Sequence, residues 1–222
     1  LGNDFGIFGI SRSVGADGVA EVDGSNAQVV HRAGNGPHGI PFLPVVFSRL
    51  QGGVAEHAYT AFRNDAAVDE IPNVAINRTH LFEPAVLPCG ARVTGMLANH
   101  DETAFPQHLL IEKDGKSIFY GCDGAWLLNK TYYHLGKRGL DLAVLDCTMG
   151  DYDGDYRIGE HNSIPMIRLM IPSLKTKGII ADNTAIYLSH IAPRLHKSHE
   201  ETVKIAEKDG FAVAFDGMKI NI

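Results

Sequence analysis

Residues 109–124 read LLIEKDGKSIFYGCDG, and this stretch predicts a β-hairpin followed by a polar strand end. The Asp114-Gly115 pair lies between two runs rich in aliphatic and aromatic residues, which is the strongest short-range signal for a hairpin. The second run ends at Tyr120-Gly121, and Asp123 follows almost at once. The pattern therefore predicts a carboxylate at the tip of a β-strand, although an Asp before a Gly also suits an ordinary turn.

The sequence around this hairpin predicts strands that alternate with helices. Apolar runs predict strands at residues 91–97, 142–145, 184–188 and 211–215. Apolar periodicity predicts a buried helix over residues 163–174, with Pro165 tolerated in its first turn. Ser198 and Glu201 have the spacing of a capping box, which predicts a second helix that ends near Lys208. This alternation indicates a layered fold of the α/β class (α+β in some schemes).

The first 79 residues give weaker signals than the rest of the chain. Residues 27–30 predict a short strand, and residues 1–40 are rich in glycine and turn-forming residues. A length of 222 residues suits one domain, so we treat residues 1–222 as a single domain.

Composition excludes several classes of protein. The chain has 20 Lys and Arg against 26 Asp and Glu, so no excess of cations is available for general nucleic-acid binding. No run approaches the roughly 18 apolar residues of a membrane helix. The three cysteines are far apart and odd in number, which favours a reducing compartment such as the cytoplasm over a disulfide scaffold.

Three side chains that can bind metals share one position, the end of a predicted strand. They are His100 after residues 91–97, Asp123 after the hairpin, and His190 after residues 184–188. Ends of different strands can converge on one edge of a sheet, and imidazole with carboxylate suits Zn²⁺ and similar ions. Each residue taken singly is more often an ordinary loop residue than a metal ligand. Their shared placement makes a common metal site the stronger hypothesis.

In order and spacing, these three residues resemble the metallo-β-lactamase superfamily, and in particular its phosphodiesterase-like branch. The third, fourth and fifth metal-binding motifs of that superfamily resemble, in order, His100, the string Tyr120-Gly121-Cys122-Asp123 and the string Tyr187-Leu188-Ser189-His190. The steps of 23 and 67 residues between the three candidate ligands are also similar. The terminal Phe215-Asp216-Gly217-Met218 is also similar to the ending of that branch. The resemblance covers residues 80–222 well and residues 1–79 poorly.

The resemblance implies a four-layer αββα sandwich that functions as a metal-dependent hydrolase. Two ions, zinc or alternatively manganese or iron, would share a hydroxide and hold a phosphodiester or other small-molecule substrate. His100 and His190 would each ligate one ion, and Asp123 would bridge the two. His161, just before the predicted helix at 163–174, would contact phosphate or protonate the leaving oxygen; otherwise it is an exposed residue at a helix start.

The sequence departs from the superfamily at its second motif, His-x-His-x-Asp-His. That string is absent from these 222 residues, and the opening Leu1-Gly2-Asn3-Asp4 resembles sequence that follows it. We therefore expect the first strands and the water-activating ligands to lie upstream of Leu1, and the chain alone to have little hydrolytic activity. It would then also expose an apolar face that allows self-association.

Two alternatives to an enzyme follow from the same residues. With three metal-binding side chains, the chain could be a non-catalytic fragment that acts as a binding or structural domain. An acidic chain could also use the glycine-rich residues 1–40 as an interface with a protein partner. Metal content separates the enzyme hypothesis from both.

Overall fold

The computed structural model describes most of the chain beyond residue 79 and one short strand near the start. The described residues are 4–6, 80–87, 89–100, 106–152, 159–192, 194–216 and 218–222. The predicted strand at 27–30 lies outside them, as does the glycine-rich surface of residues 1–40 apart from the backbone of 4–6. None of the helices described is long and apolar enough to cross a membrane.

Nine strands and three helices are described. The strands are β1 (Asp4–Gly6), β2 (Pro84–Val86), β3 (Arg92–Leu97), β4 (Gln107–Lys113), β5 (Lys116–Gly121), β6 (Leu140–Asp146), β7 (Ile180–Ser189), β8 (Ala212–Val213) and β9 (Lys219–Asn221). The helices are α1 (Asn129–Leu135), α2 (Ile164–Lys177) and α3 (His199–Ala206), and α3 continues into a 3-10 turn at Glu207–Asp209.

Seven of the strands form one mixed sheet in the order β2-β3-β4-β5-β6-β7-β8. Strands β2 to β5 pair antiparallel, whereas β5, β6, β7 and β8 pair parallel. Because two antiparallel steps separate β3 from β5, these two strands run in the same direction. The carboxyl ends of β3, β5, β6 and β7 therefore all lie at one edge of the sheet.

The predicted hairpin is confirmed as β4 and β5. Asp114 and Gly115 both have left-handed backbones, with φ of 51° and 78°, which is what a two-residue type I′ turn requires. The apolar run at 142–145 is the middle of β6, which pairs with parallel strands on both sides. Both faces of β6 are buried, and this explains why its apolar residues do not alternate with polar ones.

Both predicted helices are confirmed, and their ends have clear causes. Ser163 caps α2 by accepting a hydrogen bond from the Met166 amide at 3.3 Å. Helix α2 ends at Gly178, whose φ of 74° is the left-handed conformation that suits a C-terminal cap. The capping box of Ser198 and Glu201 opens α3 as expected.

Helix α1 was not predicted from the sequence. It is seven residues long, has no side-chain N-cap and contains Thr131, Tyr132 and Tyr133, which are weak helix formers. Its position between β5 and β6 is nevertheless essential, because a parallel strand pair needs a long crossover connection.

The sheet separates a helical layer from a second strand layer. On one face, Leu145 and Leu188 belong to a buried cluster with Ile167 of α2 and residues of α1 and α3. On the other face, Leu142 packs in a cluster with Ile220 of β9, and β9 pairs antiparallel with β1. The described residues thus contain three layers of the predicted αββα sandwich, in the order helices, seven-stranded sheet and second sheet.

Candidate metal centre

Four polar side chains follow the four strands that end at the same edge of the sheet. His100 comes three residues after β3, Asp123 two residues after β5, and His190 directly after β7, while Asp146 is the last residue of β6. The strand directions bring these residues together, although 90 positions separate the first from the last in the sequence. This placement confirms that the strand ends converge.

Two of these residues have backbones that bulky side chains rarely adopt. Asp123 and His190 are left-handed, with φ of 57° and 58°. For residues other than glycine this conformation costs roughly 1–2 kcal/mol. Hydrogen bonds hold both residues there: Asp123 N donates to Asp146 Oδ2 at 3.1 Å, and Thr148 Oγ1 donates to His190 O at 2.9 Å. Backbone strain of this kind is concentrated at functional sites.

One oxygen of Asp123 is the centre of the arrangement. Asp123 Oδ1 lies 3.3 Å from His100 Nε2 and 3.5 Å from His190 Nε2, and His161 Nδ1 is 4.0 Å away. In a tetrahedral site with ligands at 2.0–2.1 Å, neighbouring donor atoms are about 3.3 Å apart. Each of these two imidazole nitrogens therefore lies at a distance from the carboxylate oxygen that suits two ligands of one zinc-like ion.

Asp146 is the most buried member of the site and has a different role. The donor atoms of Asp123, Asp146, His161 and His190 all lie within 4.8 Å of one another. The side chain of Asp146 is fully buried, and its Oδ1 accepts hydrogen bonds from the amides of Thr148 and Asn162, both at 3.0 Å. Its Oδ2 accepts from the Asp123 amide, from Thr148 Oγ1 and from His161 Nδ1, each at 3.1 Å.

Five donors thus meet a carboxylate with about four lone pairs, and the Thr148 hydroxyl shares its proton with His190 O, so the accepting capacity of Asp146 is fully used. Asp146 is therefore an orienting group for the residues around it and not a free ligand. A carboxylate that orients metal-binding histidines from behind is a common feature of metal sites.

Burial and charge shift the pKa values of the site in opposite directions. Burial by itself disfavours the charged form of Asp146, but the hydrogen bonds and charges of His161 and His190 outweigh it and hold the pKa of this carboxyl well below its usual range. Burial also disfavours protonated His190, but its hydrogen bond to Asp146 and the nearby carboxylates raise the pKa of His190 above its ordinary value. Burial raises the pKa of Asp123, although the charges of His190, His100 and His161 oppose the rise. The site without metal is thus a compact network of opposite charges.

His161 contacts both His100 and His190 and lies three residues before the start of α2. Its ring stacks on His190, with centroids 5.6 Å apart, and meets His100 edge-on at 5.0 Å. The next residue, Asn162, donates from its side-chain amide to Gly124 O at 3.0 Å, which ties this segment to the loop that carries Asp123.

The loop at Asp123 also packs tightly against a buried histidine. A Cβ atom at Gly124 would lie 2.4 Å from His108 Nε2, so only glycine fits at that position. His108 is almost fully buried, and burial lowers its pKa to about 4. A neutral His108 therefore forms the inner wall of the site.

The structure brings together all four residues singled out from the sequence: His100, Asp123, His161 and His190. Their roles as ligands or as a leaving-group acid remain predictions. Sequence reasoning missed Asp146, although it ends the apolar run of β6 as His190 follows that of β7. The same criterion of a metal-capable side chain at a strand end would have found it.

Comparisons with known proteins give the fold of this chain. No protein-family model and no curated protein matches the sequence. Among solved structures, the chain is similar to Zn²⁺-bound PqqB from Methylobacterium extorquens, with a TM-score of 0.55 and 19% identity over 83% of this chain and 66% of that chain. It is also similar to a diphosphatase from the PhnP family, with a TM-score of 0.53 and 19% identity over 80% of this chain and 58% of that chain.

A third similar structure is the metallo-β-lactamase fold protein YhfI from Bacillus subtilis, with a TM-score of 0.50 and 13% identity over 75% of this chain and 63% of that chain. The chain thus spans 58–66% of the length of these three proteins. With the mixed seven-stranded sheet, the helical layer and the cluster of possible metal ligands at one edge, these similarities show that the chain has the metallo-β-lactamase fold.

Proposed function

We propose that this chain is the metal-binding part of a metal-dependent hydrolase that acts on phosphodiesters or related small molecules. The observation that carries the proposal is the meeting of His100 Nε2 and His190 Nε2 at one oxygen of Asp123, 3.3 and 3.5 Å away. Zinc suits these donors best, and manganese or iron are alternatives. The diphosphatase and the zinc-bound protein among the similar structures support the same class of chemistry.

In the proposed site, His100, Asp123 and His190 would hold the ions. The ions would supply Lewis acidity for the hydrolysis of the ester. Asp146 fixes the positions of Asp123 and His161 through its hydrogen bonds, so the reacting groups are oriented before substrate arrives.

His161 is the proposed leaving-group acid. Its Nδ1 faces the buried carboxylate of Asp146 at 3.1 Å, so the ring keeps a proton on Nδ1. That pairing leaves Nε2 as the nitrogen that can donate a proton to the departing oxygen.

Metal binding tests the first half of the proposal. We expect the metal-free 222-residue chain to bind Zn²⁺ or Mn²⁺ in calorimetric titrations, and Asp123→Asn to lose that binding. The matched control is Asp209→Asn, which alters an aspartate that pairs with Arg168 on the surface. Failure of the wild-type chain to bind either ion would favour the non-catalytic binding or structural domain.

Hydrolysis tests the second half. The substrates are bis(p-nitrophenyl) phosphate and a phosphodiester with an alkyl leaving group, and the protein is the product of the complete gene, loaded with Zn²⁺ or Mn²⁺. We expect metal-dependent turnover that His161→Ala reduces by about 10²–10⁴-fold for an alkyl leaving group. The loss should be much smaller for p-nitrophenolate, which departs without a proton, and metal content should not change.

Three other outcomes would contradict this assignment. Equal losses for both leaving groups would show that His161 supports the structure instead. Loss of metal from His161→Ala would show that His161 is a ligand. Absence of metal-dependent turnover in the wild-type product of the complete gene would contradict the phosphodiesterase proposal itself.

A further inference from the structure

A single hydroxyl group joins a proposed metal ligand to the orienting carboxylate. Thr148 Oγ1 lies 2.6 Å from His190 Nδ1, 2.9 Å from His190 O and 3.1 Å from Asp146 Oδ2. Thr148 is buried, with 8% of its surface exposed. All three of its partners belong to the candidate metal centre, and Thr148 has no role in the sequence-based predictions.

The number of available protons decides which atom is the hydrogen-bond donor in each of these contacts. A carbonyl oxygen and an ionised carboxylate only accept hydrogen bonds, and a threonine hydroxyl has one proton to give and two lone pairs. If the hydroxyl gave its proton to His190 Nδ1, its lone pairs would face the lone pairs of His190 O and Asp146 Oδ2. The arrangement is consistent when His190 Nδ1 is the donor and the hydroxyl shares its single proton between His190 O and Asp146 Oδ2.

We infer that Thr148 is a positioning residue that holds His190 in its Nδ1–H tautomer and presents Nε2 as the metal-binding nitrogen. This inference rests on the proposed function, because the Nδ1–H tautomer leaves His190 Nε2 free to bind a metal ion. The orientation agrees with it, since His190 Nε2 is the nitrogen that faces Asp123 Oδ1. The tautomer of a metal-bound histidine is in general set by the partner of its other nitrogen.

Asp146 contacts His190 through an oxygen that it shares with several other donors. His190 Nδ1 lies 3.2 Å from Asp146 Oδ2, but the same oxygen already accepts from the Asp123 amide and from His161 Nδ1. Thr148 gives His190 a closer partner and passes only one hydrogen bond on to the carboxylate. The hydroxyl therefore lets one buried carboxylate orient two histidines at once.

Thr148 also supports the unusual backbone of His190. Its hydroxyl lies 2.9 Å from the carbonyl of the same residue, whose φ is 58°. The two contacts hold both the ring and the main chain of His190 relative to β6. Loss of the Thr148 hydroxyl should thus loosen the position of His190 without removing any atom that could bind the metal.

The test compares Thr148→Val, which keeps the shape of the side chain, with Thr148→Ser, which keeps the hydroxyl. The matched control is Thr202→Val in α3, where another buried threonine hydroxyl donates to a carbonyl, Ser198 O, at 3.0 Å. The first readout is the ¹⁵N spectrum of His190 in the metal-free chain, at a pH where the ring is neutral. We expect Nδ1–H in the wild type, Thr148→Ser and Thr202→Val, and a shift toward Nε2–H in Thr148→Val.

The second readout is Zn²⁺ affinity. Loss of an outer partner of a metal-binding histidine typically weakens affinity by about 10–100-fold, so we expect that loss in Thr148→Val and wild-type affinity in Thr148→Ser. An Nε2–H tautomer in the wild-type chain would overturn the inference directly. An unchanged tautomer and affinity in Thr148→Val would show that Asp146 holds His190 by itself.

The two readouts separate this inference from the proposed function. A wild-type chain that binds no Zn²⁺ would contradict the metal site, while the tautomer measurement would still decide the role of Thr148. Conversely, normal Zn²⁺ binding with an unaffected tautomer in Thr148→Val would leave the metal site intact and reject the role of Thr148.

Discussion

Replacing Asp146 by asparagine should destabilise the metal-free chain severely, although the change adds no bulk. The Asp146 side chain is fully buried and accepts hydrogen bonds from five donors. An asparagine keeps one accepting oxygen and turns the other into an NH₂ group, which is a donor. Whichever way the amide is oriented, this NH₂ group must face N–H donors of the protein.

The size of the effect follows from the donors that lose their acceptor. One orientation leaves the Thr148 and Asn162 amides unpaired, and the other leaves the Asp123 amide and His161 Nδ1 unpaired. Each buried donor without an acceptor costs about 1–3 kcal/mol, so two of them cost about 2–6 kcal/mol. A domain of this size typically has about 5–15 kcal/mol of stability in total, so the loss is a large fraction of it.

The assay is urea unfolding of the metal-free chain, followed by far-UV circular dichroism. Asp209→Asn is the control, because it makes the same chemical change in a surface ion pair and should cost less than about 1 kcal/mol. The native pKa of Asp146 is held below its unfolded value of about 3.9, so its contribution is present above that pH and is lost as the pH falls through the native pKa. The difference between wild type and Asp146→Asn should therefore shrink on acidification. A loss at neutral pH no larger than that of Asp209→Asn would refute the orienting role of Asp146.

Two further predictions concern the cysteines and His190. Cys122 and Cys147 are buried, whereas Cys89 is only half-buried. Burial raises the pKa of the Cys122 thiol to about 12 and raises the pKa of the Cys147 thiol above its usual range. We expect one thiol per chain to react rapidly with DTNB near neutral pH and all three after unfolding; rapid reaction of a second thiol in the native chain would contradict the packing at β5 and β6. The pKa of His190 is raised in the metal-free chain, so its stabilising effect is complete below the unfolded value of about 6.5 and is lost as the pH rises through the native pKa. The difference in unfolding free energy between wild type and His190→Gln should therefore fall as the pH rises from the unfolded to the native pKa of His190. A difference that is independent of pH would show that the nearby carboxylates do not hold the His190 proton.

The local pattern of the sequence predicts most of the elements near the site. The Asp114-Gly115 turn, the capping box at Ser198 and the unbroken apolar run of β6 each specify their structure through contacts between near neighbours. Helix α1 was missed because its stability comes from packing: Thr131 and Leu135 are buried, while its own caps and helix propensities are weak. The short strands β2 and β9 likewise depend on their partners, since three residues carry no readable periodicity.

The sequence by itself determined which residue types stand at the strand ends, and hence that His100, Asp123 and His190 could share one metal site. Only the tertiary structure decided that Asp146 joins them as an orienting group and that Thr148 links it to His190. The physical reason is that a metal-binding side chain is defined by its own chemistry, which the sequence displays. An orienting side chain is defined by its partners, and those partners come from three strand ends and a helix start that only the packed sheet brings within hydrogen-bond distance.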